Sequence, residues 1–231
     1  MSGFAWALAG FVALHLGVAA TGLRAAIIVR IGAGAYRIVF ALASLALLVW
    51  MIHGFAAMRR DPFDPLNQDF WSPADWLRWP GYALVLLGFV FAASGLSLRN
   101  PTMAGMEGAL AKPEPARGIL RVTRHPFLWG VAFWAGGHVL VNGERFAPML
   151  FGALGLMAIY GARSIDRKLA ARDPEHWPRF AAVTSNAPFV AIAQGRNRLA
   201  LGEMWLRLAA GAAAFVLFGL FHQQIVGQPA F

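Results

Sequence analysis

The sequence predicts an all-α integral membrane protein, a bundle of about six transmembrane helices, and its composition and hydropathy pattern carry that prediction. Hydrophobic residues make up 58% of the 231 residues and charged residues only 13%. Soluble domains have about a quarter charged residues. The mean hydropathy is +0.56, and several long stretches are nearly free of charge. A helix of about 20 such residues crosses the ~30 Å hydrocarbon core of a bilayer.

The charge-free stretches define six predicted spans within one domain of residues 1–231. They lie near residues 3–22, 36–57, 80–98, 126–141, 146–162 and 205–226. The first span is flanked by Arg24 on its far side and has no basic segment before it, so we expect a membrane span there and not a cleaved signal peptide. Only residues 142–145 join the fourth and fifth spans, which predicts a tight antiparallel hairpin.

The distribution of cations predicts the orientation of the bundle. Loops one, three and five hold 15 of the 20 Lys and Arg residues, and Arg207 lies on the same side. Loops two and four hold the other four, which are Arg59, Arg60, Arg78 and Arg145. This positive-inside bias places the basic loops in the cytoplasm and both termini on the opposite side of a bacterial inner membrane or its equivalent. The net charge of +9 thus reflects topology and not nucleic-acid binding.

Four of the six histidines lie inside predicted spans, namely His15, His53, His138 and His222. Ionisable residues within a membrane usually face the bundle interior and carry function. A neutral histidine can also serve as a hydrogen-bonding contact between helices. Four of them in one small bundle favour a shared cofactor. His176, in a polar stretch, is interpreted as solvated surface.

The surroundings of His138 suit an axial haem ligand. Gly136 and Gly137 precede it and let a flat or bulky group approach the backbone, and Trp134 lies one turn back. His15 also has small residues nearby. The chain has no cysteine, which excludes iron–sulfur clusters and covalent haem. No carboxylate accompanies these histidines inside the membrane, which disfavours zinc and di-iron sites.

His125 is a separate feature, at the start of the fourth helix beside Pro126. It lies 13 residues from His138, or about 20 Å along a helix, so both cannot bind one metal from the same helix. With Arg121 and Arg124 it forms a basic cluster at the helix N-terminus. This cluster is either an interfacial anchor or an anion site or proton relay. Arg124 is then a candidate partner for a haem propionate.

Several motifs, in order along the chain, carry a resemblance to a known family. They are FVALHLGVAATGLR, GILRVTRHPFLWGVAFWAGGHVLVNG and DRKLAARDPEHWPRFAAVTSNAPFVAIAQGR. The chain resembles the NnrU family of membrane proteins, which includes the zeta-carotene isomerases. The resemblance implies a non-covalent haem b, whose iron is held by two histidines at positions His15 and His138. Ala135 stands where the plant members have a cysteine, so no thiolate can replace a histidine.

The resemblance further implies a redox-gated cis–trans isomerase acting on a carotenoid-like polyene, or another lipid-soluble substrate, within the bilayer. The residues expected at its site are catalytic His15, His138, His125 and Arg124, with His53, Gly137 and Trp134 helping to bind the cofactor. Depth in the membrane alone favours His53 over His15 as the partner of His138.

Two other functions stay open at the level of sequence. One is a haem-binding accessory protein of nitrite or nitric oxide metabolism. The other is a membrane methyltransferase, because Arg124-His125-Pro126 and Gly130 match the RHPxxxG motif of such enzymes. That motif normally has a downstream acidic pair, which this chain lacks around Asp166.

Overall fold

Helices dominate the protein, which is represented by a computed structural model that describes residues 3–227 and 230. Nine α-helices lie within those residues: α1 (Gly3–Val12), α2 (Leu23–Arg60), α3 (Arg78–Leu96), α4 (Pro126–Val141), α5 (Ala153–Arg172), α6 (Trp177–Val183), α7 (Val190–Ala193), α8 (Trp205–Leu220) and α9 (His222–Val226). Two π-helical segments, Ala13–Ala19 and Pro148–Gly152, extend α1 and precede α5. No strand occurs in the described residues, so the all-α prediction is confirmed.

Three helical stretches are long and apolar enough to cross a bilayer, and they are Leu23–Arg60, Asp75–Leu96 and Pro148–Arg172. Three more are apolar but shorter, namely Gly3–Ala19, Pro126–Val141 and Trp205–Leu220. Large apolar side chains such as Leu42, Leu45 and Trp50 stand exposed along α2. In a soluble protein such a surface would be an association hazard, whereas lipid solvates it. The protein is therefore membrane-associated.

The predicted loop between the first two spans is wrong, because α2 begins at Leu23 and not at residue 36. Residues 23–31 include alanine, leucine and arginine, which favour helices, and contain no glycine or proline to interrupt one. The helix is broken at Gly32, whose φ of 81° suits a residue without a Cβ atom. The last predicted span is also interrupted, because α8 ends at Leu220 and α9 begins at His222.

Four helices form a row in the order α8, α3, α4, α5, and α1 pairs with α2 alongside. The hairpin of α4 and α5 has the packing that its short connection predicts. At the contact of α3 with α4, a Cβ atom at Gly130 would lie 2.8 Å from the carbonyl oxygen of Gly88. The two backbones therefore approach closely, as small residues allow in membrane proteins.

The loops cover the two ends of the row. We call the end built from residues 97–125 and 173–204 the basic end, and its core includes Leu110, Ile119 and Phe180. At the other end, Asp69 pairs with Glu144 in an isolated antiparallel bridge. Arg59 contacts Glu144 there at 3.2 Å, which ties the end of α2 to the loop between α4 and α5.

Candidate functional site

His138 faces a cavity between α3, α4 and the final helices, which we call the His138 cavity. Its volume is about 130 Å3, and its lining includes Tyr82, Asn142, Phe218 and His222. The Nδ1 atom of His138 lies 2.8 Å from the carbonyl oxygen of Trp134. Because a carbonyl only accepts, Nδ1 carries the proton and the Nε2 atom of the neutral ring keeps its lone pair. Metal-binding histidines are commonly oriented in this way.

The ring of His138 is also packed between aromatic neighbours. Its centroid lies 4.7 Å from that of Trp134 and 4.6 Å from that of Phe151. Phe151 belongs to the π-helical segment before α5. Trp134 therefore makes two contacts with His138: its carbonyl accepts a hydrogen bond from the imidazole, and its ring packs against it.

Gly137 lies against α3. A Cβ atom there would meet the carbonyl oxygen of Gly81 at 2.6 Å and Cγ2 of Val85 at 2.7 Å. The group that approaches the backbone at Gly137 is thus the neighbouring helix. Gly136 is less tightly packed, because a Cβ atom there would make only an ordinary contact with Leu84 Cδ1 of α3, at 3.9 Å.

His15 faces a second and larger space, the His15 cavity, between the π-helical segment Ala13–Ala19, α4 and α5. Its volume is about 370 Å3, and most of its lining is apolar, including Phe11, Phe127, Val131 and Met157. The Nδ1 atom of His15 lies 2.8 Å from the carbonyl oxygen of Phe11, so its Nε2 also keeps a lone pair. π-Helical segments are rare, and they are frequently found at functional sites.

The histidines predicted as haem ligands are thus distributed over different parts of the bundle. His15 and His138 each have the tautomer that an axial ligand needs, but they line different cavities. His222 lines the same cavity as His138. His53 lies on an exposed face of α2. The imidazoles of His15 and His138 each offer a lone pair on Nε2, as a haem ligand must, and His222 is the histidine that lines the same cavity as His138.

A third feature, at the basic end, brings the Arg124-His125 pair onto Asp166 of α5. The guanidinium of Arg124 donates to both carboxylate oxygens of Asp166, at 2.9 and 2.8 Å. The Nε2–H of His125 donates to Oδ1 at 2.7 Å, and Asn186 donates to Oδ2 at 3.0 Å. Each carboxylate oxygen therefore accepts two hydrogen bonds. Charge-assisted bonds of this kind are among the strongest in proteins.

His125 is almost completely buried in this cluster, with 1% of its surface exposed. Burial lowers the pKa of its imidazole, and the hydrogen bond from its ring to Asp166 only partly opposes that effect. The neutral ring holds its proton on Nε2, which faces the carboxylate, so Nδ1 carries the lone pair. Among the described residues, no group hydrogen-bonds to that buried Nδ1 atom.

The cations of the predicted basic cluster are already paired. Arg124 holds Asp166, and Arg121 holds Glu203 through bonds of 3.0 and 2.8 Å. The Arg121 guanidinium lowers the pKa of the Glu203 carboxyl below its usual range. Both arginines therefore form ion pairs that link distant segments of the chain at the basic end. Their charge has a structural role there.

Asp166, Asn186 and Glu203 are the members of the site that sequence reasoning missed as partners. Asp166 is 41 residues from His125, and Glu203 is 82 from Arg121. The available signal was that Asp166 is a lone carboxylate near the end of an apolar helix. Such a charge needs a partner.

Comparison with known proteins identifies one family and two relatives. The family model described as "NnrU protein" matches residues 3–230. The chain is 32% identical over 197 residues to the chloroplastic 15-cis-zeta-carotene isomerase of Zea mays, which covers 82% of this chain and 50% of that protein. It is 40% identical over 84 residues to the Arabidopsis thaliana protein of the same name, covering 36% of this chain and 22% of that protein.

The chain therefore spans about half or less of the length of these relatives. No solved structure matches it.

Proposed function

Because the chain belongs to the NnrU family, we propose that it is a membrane-embedded cis–trans isomerase of a carotenoid-like polyene. The observation that carries this proposal is the apolar His15 cavity in a chain whose relatives are named 15-cis-zeta-carotene isomerase. Its volume of about 370 Å3 lies within the ~300–1,000 Å3 range of small-molecule sites. A segment of a hydrocarbon chain suits its lining, since a polyene offers no hydrogen bonds.

The proposed setting is a bilayer crossed by six spans, with the basic end in the cytoplasm of a bacterial cell or its equivalent. In this orientation a lipid-soluble substrate reaches the His15 cavity from the hydrocarbon and need not pass through water. Phe127, Val131 and Met157 would hold the polyene and exclude water. The side chains would fix the position of one double bond and leave the rest of the chain in lipid.

A non-covalent haem b is the proposed cofactor, and His138 would be one of the residues that hold it. The resemblance to the family supports His15 as the second ligand, and the shared cavity supports His222 as its alternative. When bound, haem would supply a redox-active iron near the histidines that hold it. The protein holds each imidazole in its tautomer through the carbonyls of Phe11 and Trp134.

The test of the isomerase proposal is conversion of a 9,15,9′-tri-cis polyene by the purified full chain in lipid nanodiscs, after expression with ample haem. Gly161 lines the His15 cavity, and a Cβ atom there would touch only Leu128 Cδ1, at 3.8 Å. Gly161→Phe should therefore fill the cavity and abolish conversion while the fold is kept.

The matched control is Gly152→Phe, because a Cβ atom at Gly152 meets nothing within 4 Å and Gly152 does not line the cavity. This variant should convert the substrate normally. Absence of conversion by the haem-loaded wild type, or full conversion by Gly161→Phe, would refute the proposal.

A further inference from the structure

Arg24 of α2 and Lys168 of α5 line a cavity at the margin of the basic end, which we call the Arg24 cavity. Its volume is about 490 Å3. The rest of its lining includes Thr102, Met103, Glu107, Ile165, Leu169 and Arg172. None of the histidines proposed to hold haem lines this cavity.

The lining of the Arg24 cavity has an excess of positive charge. Glu107 is the one carboxylate in it, and Glu107 contacts Arg172 at 3.3 Å. Within the described part of the chain, no carboxylate forms an ion pair with Arg24 or Lys168. These two cations are instead close enough to repel each other. Three cations and one carboxylate therefore give the lining a net charge of +2.

Contacts with the protein hold both of the cations that lack a carboxylate. The Nζ atom of Lys168 donates to the carbonyl oxygen of Ala19, which leaves two of its three N–H groups for another acceptor. The guanidinium of Arg24 lies over the ring of Tyr36, 5.6 Å from its centroid. Both cations are half-buried, so solvent screens their repulsion less than it would at an exposed site. An anion in the cavity would relieve that repulsion.

The Arg24 cavity lies at the ends of two helices that are apolar enough to cross a bilayer. Arg24 is in the first turn of α2, and the apolar stretch that contains Lys168 ends at Arg172. Basic pockets between helices at this level of a membrane bind the headgroups of phosphate-bearing lipids. Met103 and Leu169 add apolar surface to the cavity, which suits the part of a lipid next to its headgroup.

We propose that the Arg24 cavity binds a phosphate monoester group. Near neutral pH such a group carries about −1.5 to −2 charges and three strong acceptor oxygens. It would neutralise the lining and accept hydrogen bonds from Arg24 and Lys168, whereas a phosphodiester or a carboxylate, with one charge, would leave the cavity positive. The group can belong to a lipid headgroup or to a soluble phosphate ester. This inference goes beyond the proposed function and requires neither haem nor a polyene.

Binding of lipids to the full chain in detergent micelles tests the inference. Three probes share their acyl chains and differ in the headgroup: dioleoyl phosphatidate is a phosphate monoester, dioleoyl phosphatidylglycerol is a phosphodiester, and dioleoyl phosphatidylcholine has no net charge. Native mass spectrometry across a titration gives an apparent Kd for each lipid. Phosphatidate should bind about 5-fold more tightly than phosphatidylglycerol and about 30-fold more tightly than phosphatidylcholine.

Glycerol 3-phosphate, which has the same monoester without acyl chains, distinguishes the two sources of the group. If it displaces phosphatidate at equal concentration, the site accepts a soluble phosphate ester. If phosphatidate stays bound, the site belongs to a lipid headgroup. Either result supports a phosphate monoester in the Arg24 cavity.

The matched variants are the double substitutions Arg24→Gln with Lys168→Gln and Arg163→Gln with Lys112→Gln. Each pair removes one arginine and one lysine, but Arg163 and Lys112 are exposed and do not line the Arg24 cavity. The first pair should lower the affinity for phosphatidate about 30-fold and remove the preference for the monoester. The second pair should keep both.

Three results would overturn the inference. Equal affinity of the wild type for all three lipids would show that the phosphate group is not recognised, and equal affinity for phosphatidate and phosphatidylglycerol would show that a single charge suffices. Equal losses in the two double variants would mean that the overall charge of the protein explains the binding. The wild-type comparison stands even where the first variant fails to fold. None of these results bears on the isomerase proposal, which the conversion of the tri-cis polyene tests separately.

Discussion

Gly81 of α3 and Gly137 of α4 pack backbone against backbone, because a Cβ atom at Gly137 would lie 2.6 Å from the carbonyl oxygen of Gly81. We expect Gly137→Ala to lower the free energy of unfolding by about 1–3 kcal/mol, the usual cost of overpacking a tight contact. Thermal unfolding in detergent measures this change. Gly136→Ala is the matched control, since its Cβ atom makes only an ordinary contact, and equal effects of the two substitutions would contradict the packing.

Removal of Asp166 should destabilise the basic end strongly. Arg124 and His125 would lose their shared acceptor, and both are largely buried. Loss of one partner from a buried ion pair typically costs about 3–5 kcal/mol, and we expect Asp166→Ala to fall near the lower limit because the cluster is not completely buried.

Asp75→Ala is the control for this measurement. Asp75 contacts Arg78 at 3.1 Å, but both side chains are mostly exposed. Its loss should change the free energy of unfolding by less than about 1 kcal/mol. Similar losses in the two variants would show that the Asp166 cluster is not a main support of the basic end.

The stability of the protein should depend on pH through His125. Burial lowers the pKa of its imidazole from the ordinary value of 6.5. The unfolded chain therefore binds a proton at a higher pH than the folded chain does. The contribution of the neutral ring is fully present above pH 6.5 and is lost as the pH falls through the depressed pKa of the folded state.

Thermal midpoints between pH 5 and pH 8 check this expectation. The wild type should lose stability below pH 6.5, and His125→Phe should lose less over the same range. The difference between the two curves gives the contribution of His125 alone, because the other histidines are the same in both proteins. Parallel curves would mean that His125 titrates alike in the folded and unfolded states.

The identity of the haem ligands has a spectroscopic readout. Pyridine haemochrome should detect one haem b in the wild type, and His138→Ala should make its iron high-spin or abolish its binding. Either His15→Ala or His222→Ala should do the same, and the one that does identifies the second ligand. His53→Ala should leave the spectrum unchanged, because His53 lies on an exposed face. A wild type without haem would refute the cofactor proposal.

Local patterns made some features predictable from sequence. Span 126–141 coincides with α4, because Pro126 marks the first turn and a charge-free run follows. The helical break at Gly32 and the helical residues before it were not predicted, since the arginines in that region resembled a loop. Charge identified a polar segment there but did not distinguish a coil from an amphipathic helix.

The sequence by itself determined the membrane class, the helical architecture and the histidines available for chemistry, because these follow from composition and from periodicity along a helix. Only the tertiary structure decided which histidine faces which cavity, that α3 covers Gly137, and that Asp166 joins Arg124 and His125. These relationships depend on the rotation and axial position of helices that are distant in the chain. A rotation of one residue, about 100°, directs a side chain to a different neighbour, and packing of the whole bundle fixes that rotation.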